Sequence, residues 1–203
     1  MKKLRKRVGI CCLLALTVWG IMLVSERKQL HDNLIRLHVV ANSDSYDDQQ
    51  LKLQVKDAVI ESMKEDLQRF SDISQARQYL QENLPRIEQT ANAVLKRAGV
   101  NCETMVTFCR ETFDTRYYDT FALPAGIYES LRIVIGDGDG RNWWCVAFPT
   151  LCLPTSRDGF ETTAVGAGFS NALSNTLAGE EGYEVRFFVL DQLGRLENIF
   201  FEE

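Results

Sequence analysis

The sequence predicts an α+β protein. An N-terminal membrane-directed helix precedes one domain, whose mostly antiparallel sheet of five or six strands carries a pair of long helices on one face. Three observations predict it. An uncharged run, Val8 to Val24, comes after five basic residues; helical apolar periodicity is strongest between Ser45 and Gly99; and most of the chain beyond Gly99 alternates or forms β-branched runs punctuated by glycine and proline. The 203 residues, 45% hydrophobic and 25% charged, leave room for one core, and no repeat or low-complexity linker divides them.

Lys2, Lys3, Arg5, Lys6 and Arg7 precede the apolar run, and Glu26, Arg27 and Lys28 succeed it. Seventeen helical residues span about 25 Å, slightly short of a hydrocarbon core of about 30 Å. That length suits a signal peptide or a signal anchor with snorkelling Lys and Arg flanks. No small-x-small pattern precedes Ser25, which favours an uncleaved anchor. The basic flank keeps the N-terminus cytoplasmic, so residues 1–27 form the targeting segment and residues 28–203 one extracytoplasmic domain. Cys11 and Cys12 lie within the run, whereas a lipid-bearing cysteine would come after it.

Without the first 24 residues and their five basic side chains, 18 basic residues face 28 acidic ones, a formal charge near −10. Such a domain repels nucleic acid and anionic lipid heads. It suits a basic protein partner, although solubility alone also accounts for the charge.

His31 to Asn33 reads as a short tether, and Leu34 to Ala41 as a buried strand with Arg36 and His38 on one side. Ser45 with Asp48 resembles a capping box opening a helix to about Arg69, with Leu51, Val55, Ala58, Val59, Met63 and Leu67 on its stripe. Ser71-Asp72 starts a second helix, kinked or restarted at Pro85 and stopped at Gly99. Val100 to Phe113 alternates as a long strand. Leu123 to Cys152 then predicts a β-hairpin: apolar runs on either side of Gly136-Asp137-Gly138-Asp139-Gly140, where the glycines permit positive φ. Pro154 to Thr163 reads as an exposed loop and Phe169 to Leu177 as a short helix. Tyr183 to Leu190 and Leu196 to Phe201 predict a closing hairpin turned at Asp191-Gln192-Leu193-Gly194.

The residue types offer little chemistry. Two histidines, His31 and His38, stand outside any HExxH pattern, and Cys102-x6-Cys109 and Cys145-x6-Cys152 lack zinc spacing. An EF-hand register begun at Asp137 puts Arg141 and Phe148 at ligand positions, and no Lys-Ser/Thr pair completes a phosphate loop, so neither metal nor cofactor is expected. Ser170, in Gly-x-Gly-Phe-Ser, lacks the next-door glycine of a nucleophile elbow. Cys145 and His38 are the one plausible thiol pair, giving an alternative reading as an anchored cell-envelope thiol enzyme. Against it, Cys145 and Cys152 outside the membrane favour a disulfide, with free structural thiols the other possibility. Trp143 and Trp144 point to opposite faces of a strand, so one fills the core while the other is covered or anchors an interface. The candidate partner surface is Asp137, Gly138, Asp139, Asn142, Trp143 and Trp144, with Asn42, Ser43 and Asp44 as a second loop.

Three stretches carry a family resemblance: Pro124-Ala-Gly-x-Tyr-x-Ser-Leu-Arg132, Ile135-Gly-x-Gly-x-Gly140, and Asn142-Trp-Trp-Cys-Val-x-Phe-Pro-x-Leu-Cys152. With Leu37-His-Val-Val-Ala-Asn-Ser-Asp44 and the acidic Leu-rich helix after it, they resemble the stage II sporulation protein R family over nearly all of the chain beyond the membrane segment. Thr150, where a second proline is expected, departs from the pattern. The resemblance implies a signalling protein of endospore formation, made in the forespore and exported into the space facing the mother cell. There it activates a membrane-embedded aspartic protease that processes the precursor of the mother-cell factor sigma-E. Neither a nucleic acid nor a small-molecule substrate is implied.

Overall fold

The computed structural model describes residues 1–150, 157–179 and 184–201. Helix α1 (Lys2–Asn33) leads into strand β1 (Ile35–Val40), with α2 (Tyr46–Arg69), α3 (Ile73–Glu82) and α4 (Leu84–Arg97) after it. Strands β2 (Thr104–Phe113), β3 (Arg116–Tyr117), β4 (Ala122–Leu123), β5 (Gly126–Ile135) and β6 (Asn142–Phe148) come next. The chain closes with α5 (Arg157–Gly166), α6 (Asn171–Ala178) and α7 (Glu184–Phe201).

The predicted α+β class holds, with a different sheet. Four strands lie in the order β2-β5-β1-β6, and β3 and β4 form a separate two-stranded ribbon. β1 runs parallel to β5 and antiparallel to β6, so β5 and β6 run in opposite directions without touching. The expected Leu123–Cys152 hairpin is therefore a crossover: residues 136–141 pass over the end of β1. All six residues of β1 are buried, as a strand covered on both faces must be. Turn chemistry reverses the chain, but this apolar run from elsewhere occupies the place between the two arms.

Alternation along β1 divides the interior in two. Ile35, Leu37 and Val39 pack with Val55, Val59 and Met63 of α2 and with Ile87, Ala91 and Leu95 of α4. Leu34, on the other side, joins Leu30 of α1, Tyr128 of β5, Phe160 of α5, Leu173 of α6 and Leu190 of α7. Helices thus cover both faces of the sheet, not one. Each fully buried Leu or Ile contributes about 1.5–3 kcal/mol relative to exposure.

The early helices obey their sequence signals. The Ser45 hydroxyl accepts from the Asp48 amide at 3.2 Å, and the buried residues of α2 are the predicted stripe plus Lys52 but without Ala58, which is half-buried. Asp72 caps α3, and the chain restarts at Asn83 with proline in the first turn of α4. β2 begins at Thr104, four residues later than the alternation suggests. Ser170 is the N-cap of α6, its hydroxyl accepting from the Leu173 amide at 3.2 Å.

Three other expectations fail. His31 to Asn33 is the last turn of α1, not a tether: Leu30 is buried and His31 stacks on Tyr128 with ring centroids 5.2 Å apart. Residues 157–163 of the expected loop belong to α5, while Pro154 to Ser156 fall outside the described residues. The closing hairpin is one helix, α7, with Tyr183 outside the described residues. Leu190, Asp191 and Gly194 share its buried edge. Gly194 is no turn residue but a contact, because a Cβ there would overlap the Ala125 carbonyl.

Candidate functional site

Two sequence stretches 95 residues apart meet where β1 ends. The Asn42 side chain bridges them: its Oδ1 accepts from the Asp137 amide at 3.1 Å, and its Nδ2 donates to Asp48 at 3.0 Å. Asp44 Oδ1 accepts from the Arg141 amide at 2.7 Å. The amides of Asp139 and Gly140 donate to the carbonyls of Asn42 and Ala41 at 3.1 and 3.0 Å. Lys52, buried on α2, donates to the Arg141 carbonyl at 2.8 Å from below. Residues 136–141 are thus pinned from both sides.

The glycines are there for closeness as well as backbone conformation. Gly136 has φ 56° and Gly138 φ 71°, both left-handed. A Cβ at Gly136 would strike Asn42 Oδ1, and one at Gly140 would strike the Ser43 carbonyl. The Ser43 hydroxyl also donates to Asp48 at 2.5 Å. That hydrogen bond, and after it the Asn42 amide, holds the Asp48 carboxyl below its ordinary pKa despite a small opposing effect of burial. Burial and then the charge of Arg141 push the Lys52 pKa down.

Asn42 and Ser43 are therefore half-buried structural bridges, and Gly138 is a half-buried turn residue. Asp44, Asp137, Asp139, Asn142 and Trp143 remain exposed around them. Trp143 is 37% exposed, with Lys56 Nζ 4.7 Å from its ring centroid. The arrangement is a rigid acidic rim with an indole at its edge. It brings together no nucleophile and base. Lys52 is the member that sequence reasoning missed; its signal was a lysine on the otherwise apolar stripe of α2.

Trp144 belongs to a different environment, on the opposite face of the sheet. Its ring stacks on His38 at 3.7 Å between centroids, meets Phe113 edge-on at 5.0 Å and lies under Arg116 at 4.9 Å. His38 Nδ1 is 3.0 Å from Glu111 Oε2. Burial acts to raise the Glu111 pKa, but the His38 hydrogen bond and the Ser130 hydroxyl outweigh it, so the carboxyl titrates below its usual range. Arg36, fully buried, stacks over Phe113 at 4.3 Å and donates to the Cys145 carbonyl at 3.2 Å and the Tyr118 hydroxyl at 3.0 Å. Of the two tryptophans, Trp144 is built into the fold.

The thiol-enzyme reading loses its base. In the β1–β6 register His38 stands opposite Trp144, and Leu37 opposite Cys145. The Cys145 side chain therefore joins Leu37 in the α2–α4 core, on the face of the sheet away from the imidazole. Cys11, Cys12, Cys102 and Cys109 are free; Cys145 is not among them, and its expected partner Cys152 lies outside the described residues. The apolar cavity between α2 and the sheet, near Leu37 and Met63, measures only about 20 Å³, too small for a ligand.

α1 is long and apolar enough to cross a membrane, with only 6% of its most apolar stretch buried, which fits a signal or an anchor. A family model described as stage II sporulation protein R matches residues 31–158, a span holding both arms of the loop cluster. Stage II sporulation protein R of Bacillus subtilis (strain 168) is 35% identical over 160 residues, covering 73% of this chain and 71% of that protein. No solved structure matches the chain significantly. By the extent of both matches, the chain belongs to the stage II sporulation protein R family.

Proposed function

We propose that this protein is an intercompartmental signal of endospore formation, acting by binding rather than by catalysis. It is exported from the forespore, α1 serves as its membrane segment, and the domain stands in the space between the forespore and mother-cell membranes. There it activates the membrane-embedded aspartic protease of the mother cell that processes the sigma-E precursor. The protease and its substrate come from the family resemblance; the residues doing the binding come from the site.

One observation carries the assignment of the surface. The exposed rim of Asp44, Asp137, Asp139 and Trp143 is held by a network of hydrogen bonds at the far end of β1, roughly 20 Å along the strand from the end of α1. A surface already in its binding conformation loses little entropy on association. An activator needs only a tighter grip on the protease's competent state than on its resting state, which shifts the population. A Cys145–Cys152 disulfide, closing a small loop next to β6, adds about 2–3 kcal/mol in the chain-entropy model.

The test is reconstitution in a non-sporulating bacterium that co-expresses the protease and the sigma-E precursor. Processing only when this chain is exported to the same space supports the reading. Intact but unprocessed precursor, with every component present and the full-length chain exported, overturns it.

A further inference from the structure

The C-terminal helix presents an apolar face that the domain does not use. Val185, Phe188, Leu196, Ile199 and Phe200 are 65%, 61%, 54%, 58% and 76% exposed, and helical periodicity places them on one arc. Leu190, Asp191 and Gly194 occupy the opposite, buried edge. Asp191 locks that edge to the sheet, accepting from the Ala125 amide at 2.8 Å.

The surroundings of the exposed arc are set by two ion pairs with α1. Arg186 Nη1 is 3.1 Å from Glu26, and Glu197 pairs with Arg27. Residues 186 and 197 are roughly 16 Å apart along α7, whereas their α1 neighbours, Glu26 for the first and Arg27 with His31 Nε2 (3.8 Å away) for the second, fall within roughly 8 Å. Parallel helices would match residues at equal intervals, so α7 crosses α1 at a steep angle. The crossing sits about 4 Å beyond Val24, where the uncharged run of α1 ends. A helix that crosses a membrane span steeply at that level lies in the plane of the bilayer surface.

We propose that α7 is an interfacial helix: its Phe188–Ile199 face embeds in the lipid headgroup boundary beside the exit point of α1. This holds the domain in a fixed orientation on the membrane. The inference rests on α1 being retained as a membrane segment. Apolar insertion is the driving force, because the domain's net negative charge offers no attraction to anionic lipid. The ion pairs act as a brace, coupling the orientation of the span to that of the domain. The loop cluster at the far end of β1 then projects from a platform that cannot swivel.

The experiment places a fluorescent amino acid at position 188, 199, 16 or 46 of the full chain, reconstituted in phosphatidylcholine vesicles carrying a shallow or a deep spin-labelled lipid. Leu16 lies within the apolar run, and Tyr46, 77% exposed, is on the opposite side of the sheet from α7. The proposal expects loss of fluorescence at 188 and 199, greater with the shallow quencher than with the deep one. It expects the reverse order at position 16 and no loss at 46. Quenching at 16 with none at 188 and 199 overturns the proposal and leaves the anchor intact. No quenching at any position overturns both. Self-quenching of the 188 and 199 probes that rises with protein density, without lipid quenching, assigns the face to a second copy and likewise overturns it.

Discussion

Replacing Asn42 with alanine tests whether the two halves of the candidate site are one object. The change removes a hydrogen bond from the Asp137 amide and another to the Asp48 carboxylate. A neutral hydrogen bond contributes about 1 kcal/mol and one to a charged group about 1.5–3 kcal/mol. Asp48 keeps the Ser43 hydroxyl, and water can reach the exposed Asp137, so the lower figures apply. We predict a loss of about 1.5–2.5 kcal/mol, or a melting temperature lower by roughly 3–10 °C for a domain of this size. Near-ultraviolet circular dichroism of the full chain in detergent, with Trp143 and Trp144 in the folded domain, reads that shift. Exchange of the Asp137, Asp139 and Arg141 amides should accelerate while those of α4 keep their protection. Combined with Asp48→Ala, the losses should be non-additive by at least about 0.5 kcal/mol, as expected for groups in one network. Unchanged melting with unchanged exchange at Asp137 would refute the claim that Asn42 closes the loop.

The other predictions concern the sheet faces and the C-terminal helix. Trp144→Ala should cost about 3–5 kcal/mol, because the ring is packed against His38 and Phe113. Trp143→Ala should cost about 1 kcal/mol, mainly the contact of the exposed indole with the half-buried Lys56, and paired denaturation curves separate the two. Glu111→Gln should lose about 1–3 kcal/mol at neutral pH. Because folding depresses the Glu111 pKa, its stabilising effect is present above the ordinary carboxylate pKa of 4.5 and fades as pH falls through the folded value. Urea titrations should therefore show the two proteins converging below pH 4.5, and a constant gap across that range contradicts the linkage. Gly194→Ala should destabilise by about 1–3 kcal/mol through overlap with Ala125, whereas a glycine in an exposed turn would tolerate the change.

Local signals are legible where the chemistry is local. Ser45 and Asp48 set the start of α2, and the stripe from Leu51 to Leu67 sets its buried face, all within a few turns. The pairing of β5 with β1 depends on residues nearly a hundred positions apart, so a glycine turn can report a reversal but not the strand that fills it. α7 imitates a hairpin because its polar residues are not gathered on one face: Asp191 lies on the buried edge while the exposed arc is apolar. With Val185, Phe188 and Ile199 exposed, no polar face betrays the helical period, and Asp191-Gln-Leu-Gly194 mimics a turn. Both arms of the site stand out in the sequence; their linkage does not, because Asn42 and Ser43 face inward to hold Asp48 and Asp137.

The signalling role of the rim is tested by replacing it without disturbing its supports. Trp143→Ser, combined with Asp137→Ser and Asp139→Ser, alters exposed side chains only. This variant, exported as the full chain alongside the protease and the sigma-E precursor, would be compared with the unaltered protein by immunoblot for processed sigma-E. The folded variant should accumulate normally and fail to trigger processing. Full processing by that variant would contradict that role and move the signalling surface elsewhere on the domain.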